Sequence, residues 1–340
     1  MQANTYDAAM RLGVTPPVEV AGFPAAVDIC VGAEGLGYTD VWTAEVGAVD
    51  AFSPLAAVAV RTSKVRLGTG LIPVYTRPPA LVAMSAAGVQ NLSGGRFVLG
   101  IGASSPASVE GWMGTPLDRP VRRIEEYVAL LRDMLGGKKV DHDGDTVSAH
   151  GFRLQIGVDH PVPIHVGALG PKMCRLAGRV ADGVLFFLMT PDGVRRSLEH
   201  VHEGAREAGR DPAEIEAFIR LPVSLGDPPD LARFMARRLL TGYAIVPAYN
   251  ASLARQGFAD EAGEIAGAWA AGERDRATES FTDELLDATF LLGDADESRK
   301  RIQEFRDAGI TTPVLMPISV AGTMEERAER VRALVEALAP

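Results

Sequence analysis

The sequence predicts an α/β protein built as one (β/α)8 barrel (a TIM barrel) over residues 1–340, with two insertions. Three observations predict it. Short apolar runs alternate with stretches of helical period, the pattern of βα units around a parallel sheet. The first four units recur at about 30 residues, the length of one βαβ step. Eight such runs are counted, each followed by helix, and eight closes a barrel. A doubly wound open sheet is the alternative reading of the same alternation.

The elements follow in order. The first run is 10–15 (MRLGVT), with a helix ending near Gly35–Gly37. The second, 38–44 (YTDVWTA), precedes a helix with Ser53 as N-cap and Pro54 at the first helical position. The third, 65–72 (VRLGTGLI), precedes a helix over 78–92, and the fourth, 96–102 (RFVLGIG), a helix over 119–135. The rhythm then breaks. Residues 138–156 alternate polar and apolar around Asp143–Gly144, which reads as a β-hairpin inserted after helix four, within about 136–160. Units resume at 163–168 (PIHVGA), 182–188 (DGVLFFL) and 215–225. A second insertion, about 227–290, is Ala-rich and helical in period; its Tyr243, Tyr249 and Trp269 pack either on a ligand or on each other. A last strand, 313–318 (PVLMPI), and a helix over 324–338 close the chain.

Composition removes several function classes. Lys plus Arg number 34 against 44 Asp plus Glu, a net charge of −10, whereas tracking a nucleic-acid backbone requires a basic face. No apolar run approaches the roughly 20 residues of a membrane span. The opening MQANTYDAAMRLG lacks the basic and apolar regions of a signal peptide, and the two cysteines, Cys30 and Cys174, make no disulfide framework. A cytoplasmic protein with a small-molecule partner is expected.

In a barrel the chemistry sits where strands end. Those tips are Thr43 and Glu45, Gly70–Leu71–Ile72, Ala103–Ser104–Ser105, and Ala168–Leu169–Gly170–Pro171–Lys172. They are rich in glycine and hydroxyls and poor in ionisable groups. The turn GALGPK runs straight into a helix, and such a helix start offers free N–H groups and a positive dipole end to an anion. Lys172, one of five lysines, adds a point charge there. The plainer reading is a tight turn with Pro at the first helical position. Gly68 and Gly70 weaken a strand that should be buried. Either the backbone is pressed against a planar ligand there, or barrel layers crowd and need small residues. The six histidines form no metal-ligand pattern, so no metal is expected. GIGASSP lacks the GxSxG elbow of a hydrolase, and no GxGxxG follows the first strand. Glu45 is the one carboxylate at a strand tip and the candidate catalytic residue; a capping or salt-bridged acid is its alternative.

The segments GYTDVWTAE (37–45), VRLGTGLIPVYTRPPALVAMSAAGVQNLSGGRFVLGIGASSP (65–106) and PIHVGALGPKMCRLAGRVADGV (163–184) resemble the luciferase-like monooxygenase superfamily. Within it they are most similar to oxidoreductases that use the deazaflavin coenzyme F420. The likeness spans nearly the whole chain. It implies that Gly70–Leu71 is a non-prolyl cis peptide in a bulge supporting the central ring of the cofactor. It implies that Ala103, Ser104 and Ser105 line the ring's reactive edge, and that amides of Ala168, Leu169 and Gly170, with Lys172 close by, hold the cofactor phosphate. Thr43 and Glu45 would face ring and substrate.

Members that oxidise alcohols often carry a histidine at the place of Glu45 and a carboxylate at the place of Ser105, and this chain has neither. The resemblance therefore implies hydride transfer to or from an activated C=C or C=N bond, with Glu45 as proton donor where one is needed. It also implies a homodimer. FMN is the alternative cofactor, in a monooxygenase of the same superfamily. A non-catalytic cofactor-binding barrel is the alternative of another class.

Overall fold

The computed structural model describes residues 11–340. Its strands are β1 (Gly13–Val14), β2 (Asp40–Thr43), β3 (Arg66–Thr69), β4 (Ile72–Pro73), β5 (Phe97–Gly102), β6 (Val140–Asp143), β7 (Ser148–Phe152), β8 (Ile164–Gly167), β9 (Gly183–Phe187), β10 (Glu216–Ser224), β11 (Leu291–Leu292) and β12 (Thr312–Pro317). The fold is a (β/α)8 barrel in which β3 and its continuation β4 count as one strand. The hairpin β6–β7 is the first insertion, antiparallel in a sheet of its own. Five helices between Pro229 and Thr289 form the second, and β11 is an extra strand beside β10. No helix among the described residues is long and apolar enough to cross a membrane.

Two compact units make up the chain. One comprises 39–185 and 200–216. In it β2, β3, β5, β8 and β9 pair in that order, all parallel. The bodies of these strands are sealed: Val41, Trp42, Leu67, Leu99, Ile101 and Val166 are buried. The flanking helices include Phe52–Ala59, Pro79–Leu92, Pro120–Leu135 and Pro171–Val180. The other unit comprises 11–38 of the described residues with 186–199 and 217–340. There β12 lies between β1 and β10. The inserted helices close over their own apolar cluster of Leu240, Leu253, Ile265, Phe281 and Leu285, with Phe187 and Leu188 from the end of β9.

Local departures from the sequence reading have physical reasons. The first strand shrinks to two residues, and Met10 lies outside the described residues. Ser53 is not the N-cap of its helix. Asp50 does that work, accepting from the N–H groups of Phe52 (2.9 Å) and Ser53 (3.0 Å) and from Ser53 Oγ (2.5 Å). The third run is broken at Gly70–Leu71, between β3 and β4. A single π-turn, Ala107–Trp112, fills the loop after β5. The helix Ala295–Asp307 carries a full capping box of Asp294 and Glu297, and Met324–Ala337 one of Thr323 and Glu326.

Candidate active site

The predicted tips are found at the C-terminal ends of the strands in the 39–185 unit. The strand bodies are buried, whereas Glu45, Gly70, Leu71, Ala103, Ser104, Ser105, Leu169 and Gly170 are half-buried. Accessible backbone and side chains therefore begin where the core stops.

The bulge after β3 is the centre of this surface. The Gly70–Leu71 peptide is cis, and its residues are tied to the tip of β2 on both sides. Gly70 N–H donates to Thr43 O (2.5 Å), and Glu45 N–H donates to Leu71 O (3.0 Å). The ladder to β5 is lost there, and Thr69 replaces it with its hydroxyl. Thr69 Oγ1 donates to Gly100 O and accepts from Gly100 N–H, both at 2.8 Å. Thr43 Oγ1 donates to Ala51 O (2.7 Å), fixing the loop beyond β2.

The glycines around the bulge divide between the two explanations that the sequence allows. A Cβ on Gly68 would lie 2.3 Å from the Trp42 ring, so this glycine answers crowding inside the strands. Gly70 belongs to the cis peptide itself. Gly102 and Gly167 serve Leu71: a Cβ on either would lie 2.3 Å from Leu71 Cδ2. The side chain of Leu71 is thus seated over two bare backbones, and its peptide is held by β2. Ile72 continues into β4, buried and in register with Ile101.

Beyond β5, Ser104 has φ of 66°, a left-handed conformation uncommon for a residue with a side chain. Ser105 Oγ lies 3.2 Å from Ser108 Oγ at the start of the π-turn, a rare element concentrated at functional sites. Trp112 and Met113 at its end are exposed. A Cβ on Gly47 would meet the Trp112 ring at 3.5 Å, so the β2 and β5 loops approach each other there.

Glu45 is fully engaged. Arg77 Nε donates to Oε1 (3.0 Å) and Nη2 to Oε2 (2.8 Å), and Ala51 N–H reaches Oε2 (3.2 Å). Arg77 stands in the TRPPA segment, where no local pattern marks it as the partner of Glu45. Its guanidinium also lies 5.4 Å from the Phe52 ring. At Asp50 burial opposes the charge, but the hydrogen bonds from Ser53 and Phe52, with Arg77 nearby, hold the carboxyl below its ordinary value.

The turn after β8 is an open helix start. Ala168 N–H is committed to Leu185 O (3.1 Å), so that amide serves the sheet. The helix Pro171–Val180 has Gly170 at its N-cap, no side-chain cap and no acid in its first turn. Its first intrahelical bond from the turn is Cys174 N–H to Gly170 O (3.0 Å), so the N–H groups of Lys172 and Met173 precede the ladder. Lys172 and Pro171 line a cavity of about 300 Å3 with Val121, Arg175, Leu176 and Arg179. Among the described residues no group of three His, Cys, Asp or Glu is placed to hold a metal.

Residues 8–312 match the family model described as luciferase-like monooxygenase. The chain is similar to the 5,10-methylenetetrahydromethanopterin reductase of Methanolobus tindarius, 33% identical over 82% of this chain and 86% of that protein. It is 30% identical to the enzyme of the same name from Archaeoglobus fulgidus, over 83% of this chain and 86% of that one. Among solved structures it resembles the coenzyme F420-dependent tetrahydromethanopterin reductase of Methanopyrus kandleri, with a TM-score of 0.75 and 26% identity over 95% of this chain and 97% of that one.

Proposed function

Given that the chain belongs to the luciferase-like monooxygenase family, we propose that it is an F420-dependent oxidoreductase acting on an activated C=N or C=C bond rather than on an alcohol. The observation that carries the reading is how the site's polar groups are spent. Glu45 is held by Arg77 and Ser105 faces Ser108, so no acid–base pair stands ready to take a proton from an alcohol. An activated double bond needs less such help. The substrate for which these relatives are named, a methylene derivative of a tetrahydropterin, supports the same class.

The residues present fit the cofactor. When bound, F420 supplies a carbon that carries hydride as a two-electron unit. The helix start at Gly170–Lys172 offers its first-turn amides and an ammonium to a phosphate. The Gly70–Leu71 peptide, pinned to Thr43 and Glu45, offers a fixed backbone surface to a flat ring. Ala103, Ser104 and Ser105 border the space beside it. The protein's contribution is position, which sets the reacting carbons close and aligned. Reduction of an iminium leaves no proton to be added at carbon, and Glu45 then acts only by holding its loop. Reduction of C=C needs a proton, which Glu45, a carboxylate while Arg77 holds it, takes up from solvent and passes on only once that pair opens.

The test is a titration of the protein with F420 and with FMN, followed by single-turnover oxidation of reduced F420 with C=N and C=C acceptors. Micromolar F420 binding with negligible FMN binding supports the reading, and the reverse makes the protein an FMN monooxygenase. Binding without turnover of either acceptor class leaves a non-catalytic barrel. Glu45→Gln should slow C=C reduction by about 100-fold or more while sparing the iminium.

The exposed Leu81, Met84 and Leu92 on the outer face of Pro79–Leu92 form the stripe we assign to a second copy of the chain. Met84→Glu should shift the mass in solution from dimer to monomer. Cys30 and Cys174 are buried thiols outside any disulfide, which suits a reducing cytoplasm.

A further inference from the structure

Arg220 lies in β10, opposite Val314 of β12, and is 7% exposed. Its Nε is sealed from solvent without a hydrogen-bond partner, and among the described residues no carboxylate pairs with its guanidinium. The contrast with Arg66 is direct, since that guanidinium sits between Asp40 and Glu216. What Arg220 has instead is the ring of Phe187, 5.1 Å from Cζ. Phe187 meets Tyr243 edge-on at 4.8 Å and Tyr249 at 6.1 Å, and the two tyrosines meet at 5.5 Å. One ring face offsets only part of the cost of holding a cation out of water, so the arrangement calls for an anion.

We propose that Arg220, Phe187, Tyr243 and Tyr249 form a binding site for an aromatic carboxylate. A guanidinium presents parallel N–H groups that match the two oxygens of a carboxylate. A single guanidinium suits a monoanion rather than a doubly charged phosphate. Three mutually perpendicular rings favour a planar body beside them over an alkyl one. Burial, with Tyr243 beside it, pushes the Tyr249 phenol up against the opposing pull of Arg220, so its hydroxyl remains a donor. All four residues belong to one compact unit, and the site does not depend on the cofactor reading.

Benzoate is the probe, with acetate and inorganic phosphate as comparators, in calorimetric titrations and thermal melts of the full chain without cofactor. Benzoate should bind and raise the melting temperature, and the comparators should do so less. Arg220→Met should fold, melt at or above the wild-type temperature because an unpaired buried charge is gone, and bind benzoate at least about tenfold more weakly. Arg220→Lys keeps the charge but loses the fork, and should weaken benzoate while leaving the melt unchanged. The proposal is overturned if Arg220→Met binds benzoate as the wild type does, if it fails to fold, if phosphate binds more tightly than benzoate, or if benzoate does not bind at all.

Discussion

The two ends of the strands in the 39–185 unit are built on opposite principles. At the N-terminal end a closed charge network fills the space. Asp40 accepts from Arg66 Nε (2.7 Å), Trp42 Nε1 (3.1 Å) and Thr39 Oγ1 (2.6 Å), and Arg66 Nη1 reaches both oxygens of Glu216. Burial disfavours the charge of Arg66, but Asp40 and Glu216 outweigh it and hold the guanidinium protonated. At the C-terminal end, glycines, hydroxyls, a left-handed serine and a helix start without a cap leave donors and backbone open. Buried charge closes one end, whereas at the other the Glu45–Arg77 pair sits half-buried beside the open backbone. That division is the one expected of a barrel, in which one face carries stability and the other carries chemistry.

The largest effect should come from the closed end. Arg66→Met would leave the Asp40 carboxylate, 1% exposed, without its cation, and should cost about 3–5 kcal/mol in urea unfolding. The folded fraction should still bind F420 with wild-type affinity. A matching loss of affinity would mean that the two ends are coupled, and the division between them would fail.

The same end contributes a pH dependence. His165 stacks on Trp42 at 5.6 Å, and neither ring nitrogen has a hydrogen-bond partner. Burial, with Arg66 adding to it against the pull of Glu216, lowers its pKa from 6.5 to about 4. The unfolded chain therefore takes up a proton that the folded protein refuses. This stability is complete above pH 6.5 and is lost as pH falls toward 4. The loss should be about 3 kcal/mol over that window, measured as unfolding free energy against pH. His165→Phe should flatten this part of the curve, and an unchanged slope would place the proton elsewhere.

The open end should respond in binding rather than stability. Gly102→Ala puts a methyl 2.3 Å from Leu71 Cδ2 and must displace that side chain from its seat. F420 affinity should fall about tenfold or more, with a stability loss of about 1–2 kcal/mol. Gly68→Ala crowds Trp42 instead, so stability should fall with little change in affinity per folded molecule. If the two variants behave alike, the glycines have one role and not two.

The two ends were also unequally legible in the sequence. Strand order, the hairpin and the helical insertion follow from apolar period and turn residues, which are local signals. The tips follow from counting strands. What the sequence could not supply was which glycine answers which neighbour, because Gly68 meets residue 42 while Gly102 and Gly167 both meet residue 71. The bond from Glu45 to Arg77 spans 32 positions and has no periodic trace. The π-turn at Ala107–Trp112 has none either, since one wide turn sets up no repeat. Arg220 leaves no sequence signal either, because an arginine in an apolar strand gives no warning that its partner is missing.

The smallest predicted effect bears on Lys172, the only cation in the first turn of Pro171–Val180. Its ammonium is exposed, so salt and water screen it and a charge there contributes little by itself. The turn's amides and the helix end do not depend on it. Lys172→Ala should therefore weaken F420 about threefold to tenfold, and the deficit should shrink in high salt as the screened term disappears. The phosphate-free deazaflavin fragment should bind wild type and variant equally. A loss well beyond tenfold, or one that persists in salt, would mean that Lys172 makes a buried contact with the phosphate, and the open end would then hold an anion by side-chain charge as the closed end does.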